Sequence, residues 1–273
     1  CTGDNNRRIQ RRFPTAFLNT GLPGRRRSSR KVGIIAKKNT NHVKTREIQH
    51  AKKHIETTPS YNVYIGKNFG VRLCDYFKFL RSIEQASERA LVQCSFNCFR
   101  SFASMELSSS AKKLQTCPNA GGNSVESEVL SFELLHRCFG AELLKTEMEV
   151  DYFPTGGAIT DYTCRLFGTT LGVSVTRAMK YRGQFDVEDA KRLLTKKLNG
   201  ILNATQNTLE DWKKQVLHIW APSHSVAKTV WKVYEDMIHT DIKANTVVMV
   251  TITESTSAYC SMFDNRKKRT IGG

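Results

Sequence analysis

The segment from residue 124 to residue 181 constrains the fold more than any other. It opens with Val125, Val129, Phe132, Leu135 and Phe139 at the spacing of a helix with one buried side, and this helix stops at Gly140. Asn123 or Ser124 is the expected cap, with Glu126 placed to return a contact to Asn123. Three strand-like runs follow, over residues 141–153, 158–167 and 169–179. Pro154-Thr155-Gly156-Gly157 separates the first two. Glycine reaches the positive φ of tight turns, so a hairpin is expected there, with Asp161 early in its second strand.

The remainder supplies elements to pack on those strands. Asp186 is placed to cap a helix over 186–203, in which Ala190, Leu193, Leu194, Leu198, Ile201 and Leu202 form the buried side. Lys191, Arg192, Lys196 and Lys197 form the other. A strand over 215–220, a helix over 223–238 and a buried strand over 245–253 complete the order. Strands joined through helices run parallel and hairpin strands antiparallel, which gives an α/β fold with a mixed β-sheet flanked by helices. Upstream, residues 61–66 alternate as a strand. Leu73, Tyr76, Phe77, Leu80, Ile83, Ala86 and Leu91 predict a helix over 71–93 continuing toward Phe99. Ser108-Ser109-Ser110 and the 118–123 cluster predict a loop over 101–123. The chain thus divides into a flexible arm (1–58), a helical lead-in (59–123), an α/β core (124–263) and a basic tail (264–273).

Charge is distributed unevenly. Residues 1–60 hold fifteen Lys and Arg against Asp4, Glu47 and Glu56, a net +12 of the formal +17, and leave +5 for all that follows. Such an arm attracts phosphate without reading sequence, so DNA or RNA is the expected partner. Arg25, Arg26, Arg27, Arg30 and Lys31 suit nuclear import. An Arg- and Ser-rich, acid-poor stretch also suits a mitochondrial presequence; the nuclear reading is favoured. No window approaches the roughly 18 to 20 apolar residues of a membrane helix. Cys94 and Cys98 lie four apart and would share a helix face. Without a CxxC pair or a histidine at finger spacing, the eight cysteines read as small buried hydrophobes. There is no phosphate-binding P-loop, dinucleotide glycine fingerprint or Gly-x-Ser-x-Gly elbow. His218, His224 and His239 form no recognisable constellation. Trp212, Trp220 and Trp231 could stack on bases, but their places at the ends of core elements favour packing.

The order helix, three strands, helix, strand over residues 124–220 resembles the restriction-endonuclease-like, or PD-(D/E)xK, nuclease superfamily, with an added helix and strand. The resemblance implies an acid on the first helix, matched by Glu128 with Glu126 as fallback, and an aspartate in the second strand, matched by Asp161. It also implies an acid-x-lysine pair in the third strand. Here the chain reads Val173-Ser174-Val175-Thr176-Arg177, so Ser174 and Thr176 stand in those places without charge. The resemblance implies Mg²⁺ or Mn²⁺ held by Asp161 and Glu128, and a cation supplied by Arg177, Lys180 or Lys191. Alternation puts Arg177 on the opposite face unless the strand bulges. Lys191 and Arg192 join the arm as expected nucleic-acid contacts, and resolvase-like relatives imply a homodimer. Two functions follow: a metal-dependent nuclease, or a nuclease fold without its chemistry that binds nucleic acid or a protein.

Overall fold

Two strands buried at every position, Lys214–Ala221 and Val247–Thr253, show where the middle of the molecule lies, because only a strand covered on both faces is buried throughout. The computed structural model describes residues 59–119, 124–180, 182–212, 214–253 and 261–263. These belong to one unit, Ile55–Gly273. In chain order they form β1 (Tyr61–Ile65), β2 (Phe69–Leu73), α1 (Tyr76–Glu84), β3 (Ala90–Cys98), α2 (Ser109–Thr116), α3 (Val125–Phe139) and β4 (Glu142–Thr146). There follow β5 (Tyr162–Leu166), β6 (Thr169–Arg177), α4 (Val187–Asn207), β7 (Lys214–Ala221), α5 (His224–Met237), α6 (Thr240–Lys243) and β8 (Val247–Thr253).

The strands make one mixed sheet in the order β1-β2-β3-β8-β7-β6-β5-β4. β3, β8, β7 and β6 run parallel, while β1–β2–β3 and β4–β5–β6 pair antiparallel. One face packs its Val92, Phe96, Val173 and Met249 against α1, α2 and α3. The other packs Leu217, Ile219, Val248 and Val250 against α4 and α5. The expected mixed sheet flanked by helices is therefore present, with the predicted order from residue 124 onward.

The helix expected over 71–93 is absent. That span holds β2, α1 and the start of β3. Val92, Cys94, Phe96 and Cys98 alternate onto the buried face, and this period of two overrides the sparser helical spacing upstream. Cys94 and Cys98 do share a face, but of a strand. Residues 59–73 and 90–98 thus add three strands to the same sheet rather than a helical lead-in. Within the expected loop over 101–123 lies α2, whose cap Ser108 accepts a hydrogen bond from Ala111 N at 3.2 Å. The serine run is a helix start.

The connection through Pro154 to Gly157 is also not a tight hairpin. β4 ends at Thr146, a single 3₁₀ turn follows over Glu147–Glu149, and β5 begins only at Tyr162. The tight turn lies between β5 and β6 instead, at Phe167 (φ 48°) and Gly168 (φ 77°), the paired left-handed geometry that matches strand twist. The arm, its Arg25, Arg26, Arg27, Arg30 and Lys31, the tail and the cap contact from Asn123 lie outside the described residues. Among the described residues no helix is long and apolar enough to cross a membrane.

Candidate active site

At one end of the sheet β4 stops at Thr146 and β5 begins at Tyr162, while β6 runs on to Arg177. This leaves a notch beside the last residues of β6, where backbone groups facing β5 have lost their ladder partners. Two side chains meet them. Asp161 Oδ2 accepts from Val175 N at 2.6 Å, and Lys197 Nζ donates to Val175 O at 3.1 Å. Asp161 directly precedes β5, and its own N–H donates to Val173 O at 3.0 Å.

The loop before Asp161 is held firmly. Thr160 Oγ1 donates to Val173 O at 2.8 Å, and Thr160 N donates to the Tyr152 hydroxyl at 2.9 Å. Ala158 N donates to Asn203 Oδ1 on α4 at 3.3 Å. Instead of making a tight hairpin, the loop wraps against α4 and delivers Asp161 to the notch.

Glu128 reaches the notch from the opposite face of the sheet, on the first turn of α3. Three hydrogen bonds tie the first two turns of α3 to the sheet. Trp220 Nε1 donates to Ser127 O at 3.0 Å, and Ser131 Oγ bridges His218 Nδ1 at 2.7 Å and the Tyr162 hydroxyl at 2.8 Å. His218 Nε2 pairs with Thr251 Oγ1 at 2.8 Å, so the buried histidine is bonded at both nitrogens. Burial drives its pKa down to about 3, which keeps it neutral. His218 is thus a strut that holds α3, not a proton carrier.

The electrostatics of the notch connect three acids and one lysine. Asp161 is half-buried as a residue, but its carboxylate turns inward. Desolvation pushes its pKa up to about 7, opposed by Lys197 and the Val175 N–H and reinforced by Glu128 and Glu147. Glu128 is buried and its pKa is raised, first by desolvation and then by Glu147, against the Ser124 hydroxyl, Lys197 and Arg177. Glu147, on the turn just after β4, acts on both. Carboxylates that desolvation and neighbouring acids hold above their usual range are relieved by a nearby cation.

The other expected residues divide. Ser174 is buried and Thr176 half-buried, both alternating onto the α4 face away from Leu171, Val173 and Val175. Arg177 takes the α3 face, donates to Met262 O at 2.7 Å and reaches Glu128 only through its field. Glu126 accepts from Ser261 Oγ at 2.8 Å, so Glu128 is the acid that joins Asp161. Lys180 pairs with Asp186 at 3.0 Å and Asp189 at 2.7 Å at the start of α4, and Arg192 pairs with Asp189; neither points into the notch. Lys191 is exposed on the outer side of α4. Trp212 and Trp220 are buried packing residues.

Helix periodicity places Lys197 on the solvent side of its helix, and Glu147 and Tyr152 carry no sequence signal. For Lys197 a finer signal exists: it lies three residues after Leu194 and four before Ile201, both buried, and so falls on the flank of the buried stripe. Among the described residues no three His, Cys, Asp or Glu side chains gather closely enough to form a metal cluster by themselves.

The fold and the notch define an α/β protein with a carboxylate pair and a lysine at a break in its sheet. A Dictyostelium discoideum protein described as "AAC-rich mRNA clone AAC4 protein" is 40% identical over 152 residues, which is 53% of this chain and 22% of that protein. The chain therefore spans about a fifth of that relative's length. No family model and no solved structure matches the chain.

Proposed function

We propose that the protein is a metal-dependent nuclease of the restriction-endonuclease-like type, acting on phosphodiester bonds of DNA or RNA. The observation that carries this reading is that Asp161 and Lys197 both bind Val175 at the notch, with Glu128 near enough for its charge to act on Asp161. Two carboxylates that burial and mutual repulsion hold above their ordinary range suit a divalent cation, which relieves both penalties. Asp161 and Glu128 would hold Mg²⁺ or Mn²⁺, with Glu147 adding charge nearby and the remaining ligands coming from water or backbone carbonyls. When bound, the ion supplies Lewis acidity and a more acidic water.

The chain's own residues do the positioning. Val175 N–H fixes Asp161 Oδ2 and leaves Oδ1 without a hydrogen bond among the described residues. Lys197 brings an ammonium to the same notch from the α4 face, the face that Thr176 shares, so the charge missing from β6 comes from the neighbouring helix. There it is placed to stabilise negative charge developing on a phosphoryl group.

One observation favours a second reading, a nucleic-acid-binding module without chemistry. Asp161 and Lys197 both already satisfy Val175, so they can serve as plain edge caps. Cleavage assays on single-stranded, duplex and branched DNA and RNA with Mg²⁺ or Mn²⁺ separate the two. A nuclease cuts at least one substrate, loses cleavage in Asp161→Asn, loses less in Glu128→Gln, and slows roughly 100-fold in Lys197→Met. A wild-type chain that binds these substrates but cuts none is the module.

A further inference from the structure

Among the described residues, no helix covers the α5 face of the sheet from Ser95 outward. Leu91 packs under the helices, whereas Gln93, Ser95 and Asn97, which alternate onto the same face of β3, are only half-buried. Here β1, β2 and β3 floor a cavity of about 180 Å³. Its walls are two aromatic rings. Tyr64, 71% exposed, and Phe99, 38% exposed, lie nearly parallel at 21° with centroids 6.3 Å apart. Gly70 lies between them. A Cβ added there would sit 2.9 Å from Phe99 Cζ and 3.3 Å from Tyr64 Cδ1, so the missing side chain is what makes room for the rings. The side chains of Asn62, Arg72 and Asn97 stand around the slot and make no hydrogen bond or ion pair with another described residue.

We propose that this slot takes a nucleobase of a single-stranded nucleic acid, stacked between Tyr64 and Phe99. The centroids lie closer than the roughly 7 Å that two van der Waals spacings need, so a base enters only as Phe99 turns aside about its side-chain torsions, which its 38% exposure permits. A flat heterocycle gains both ring faces, and the amides of Asn62 and Asn97 offer donors and acceptors to its edge. The charge around the slot suits the attached phosphates. Among the described residues no carboxylate lines it and Arg72 does, and in sequence the +12 segment directly precedes β1, the strand that carries Tyr64.

The slot also lies at the same end of the sheet as the notch. Arg177, Trp220, Thr251 and Cys94 are level across the parallel strands, and Asn97 and Phe99 follow just beyond Cys94. β2 is four strand spacings from β6, roughly 19 Å. A strand held in the slot can therefore run along this end toward Val175. The slot shares only its ligand class with the proposed function and needs no cleavage.

The test uses the full chain carrying Asp161→Asn, so that the oligonucleotide stays intact, at about 0.3 M salt to suppress contacts from the arm. Fluorescence anisotropy then compares a labelled single-stranded oligothymidine with a duplex of equal length. Adding Tyr64→Ala and Phe99→Ala should weaken single-strand binding roughly 5- to 100-fold and leave duplex binding unchanged. Gly70→Ala should weaken it by displacing Phe99, and free nucleoside should compete where inorganic phosphate does not. If the double variant fails to fold by circular dichroism, Tyr64→Ala alone, at an exposed position, decides the matter by the same comparison. Unchanged single-strand affinity, equal loss on duplex, or competition by phosphate alone overturns the proposal. Failure of Asp161→Asn to abolish cleavage would bear on the notch and not on the slot.

Discussion

Asp161 and His218 respond to pH in opposite senses, and both effects come from burial. His218 has a folded pKa near 3 against an ordinary 6.5, so the unfolded chain takes up its proton first and stability is lost as pH falls below 6.5. Asp161 has its pKa raised to about 7 from 3.8, so its contribution is full below 3.8 and is lost as pH rises through 7. Asparagine at position 161 removes the second effect alone. Measured by urea unfolding, the stability of Asp161→Asn relative to wild type should improve steadily as pH rises from 4 to 7. A difference that stays flat over that interval would mean that the carboxylate is not held above its usual range.

At the level of the elements, the notch depends on how α3 is tied to the sheet. Ser131 is the shared partner of His218 and Tyr162. Ser131→Ala leaves two buried polar groups unpaired and should cost about 1–3 kcal/mol in thermal or urea unfolding. It should also slow any cleavage by loosening Glu128; a variant as stable and as active as wild type would show that the strut does not hold the notch. The sequence made α3, β6, α4, α5 and β8 legible because each has a long unbroken period. It hid β2, α1 and β3, where three short elements share one stretch and a partial helical spacing spans all of them. Glu128 and Asp161 could be found from element order. Lys197 could not be assigned to the notch from helix periodicity alone, because its role depends on where β5 stops. The 147–161 loop was hidden for a related reason: its glycines signal turning but not whether the turn is tight, and its path is set by Tyr152, Asn203 and Thr160.

For the whole molecule, the excess charge and the proposed site lie in different parts of the chain. Because +12 of the +17 precedes residue 61 and the described sheet starts at Tyr61, deleting residues 1–58 should leave a folded core. Its nucleic-acid binding should be weaker and less steeply dependent on salt, as the loss of phosphate contacts requires. Equal binding by the truncated and full chains at every salt concentration would show that the arm takes no part in binding. The central claim is that Asp161 and Glu128 form a cation site, and the most direct measurement of it is the melting temperature of the full chain with and without Mn²⁺ or Mg²⁺. At pH 8, above the raised pKa of Asp161, the ion should raise the melting temperature of wild type. The rise should shrink at pH 5.5 and vanish in Asp161→Asn. An equal rise in wild type and Asp161→Asn, or none in either, would contradict the claim.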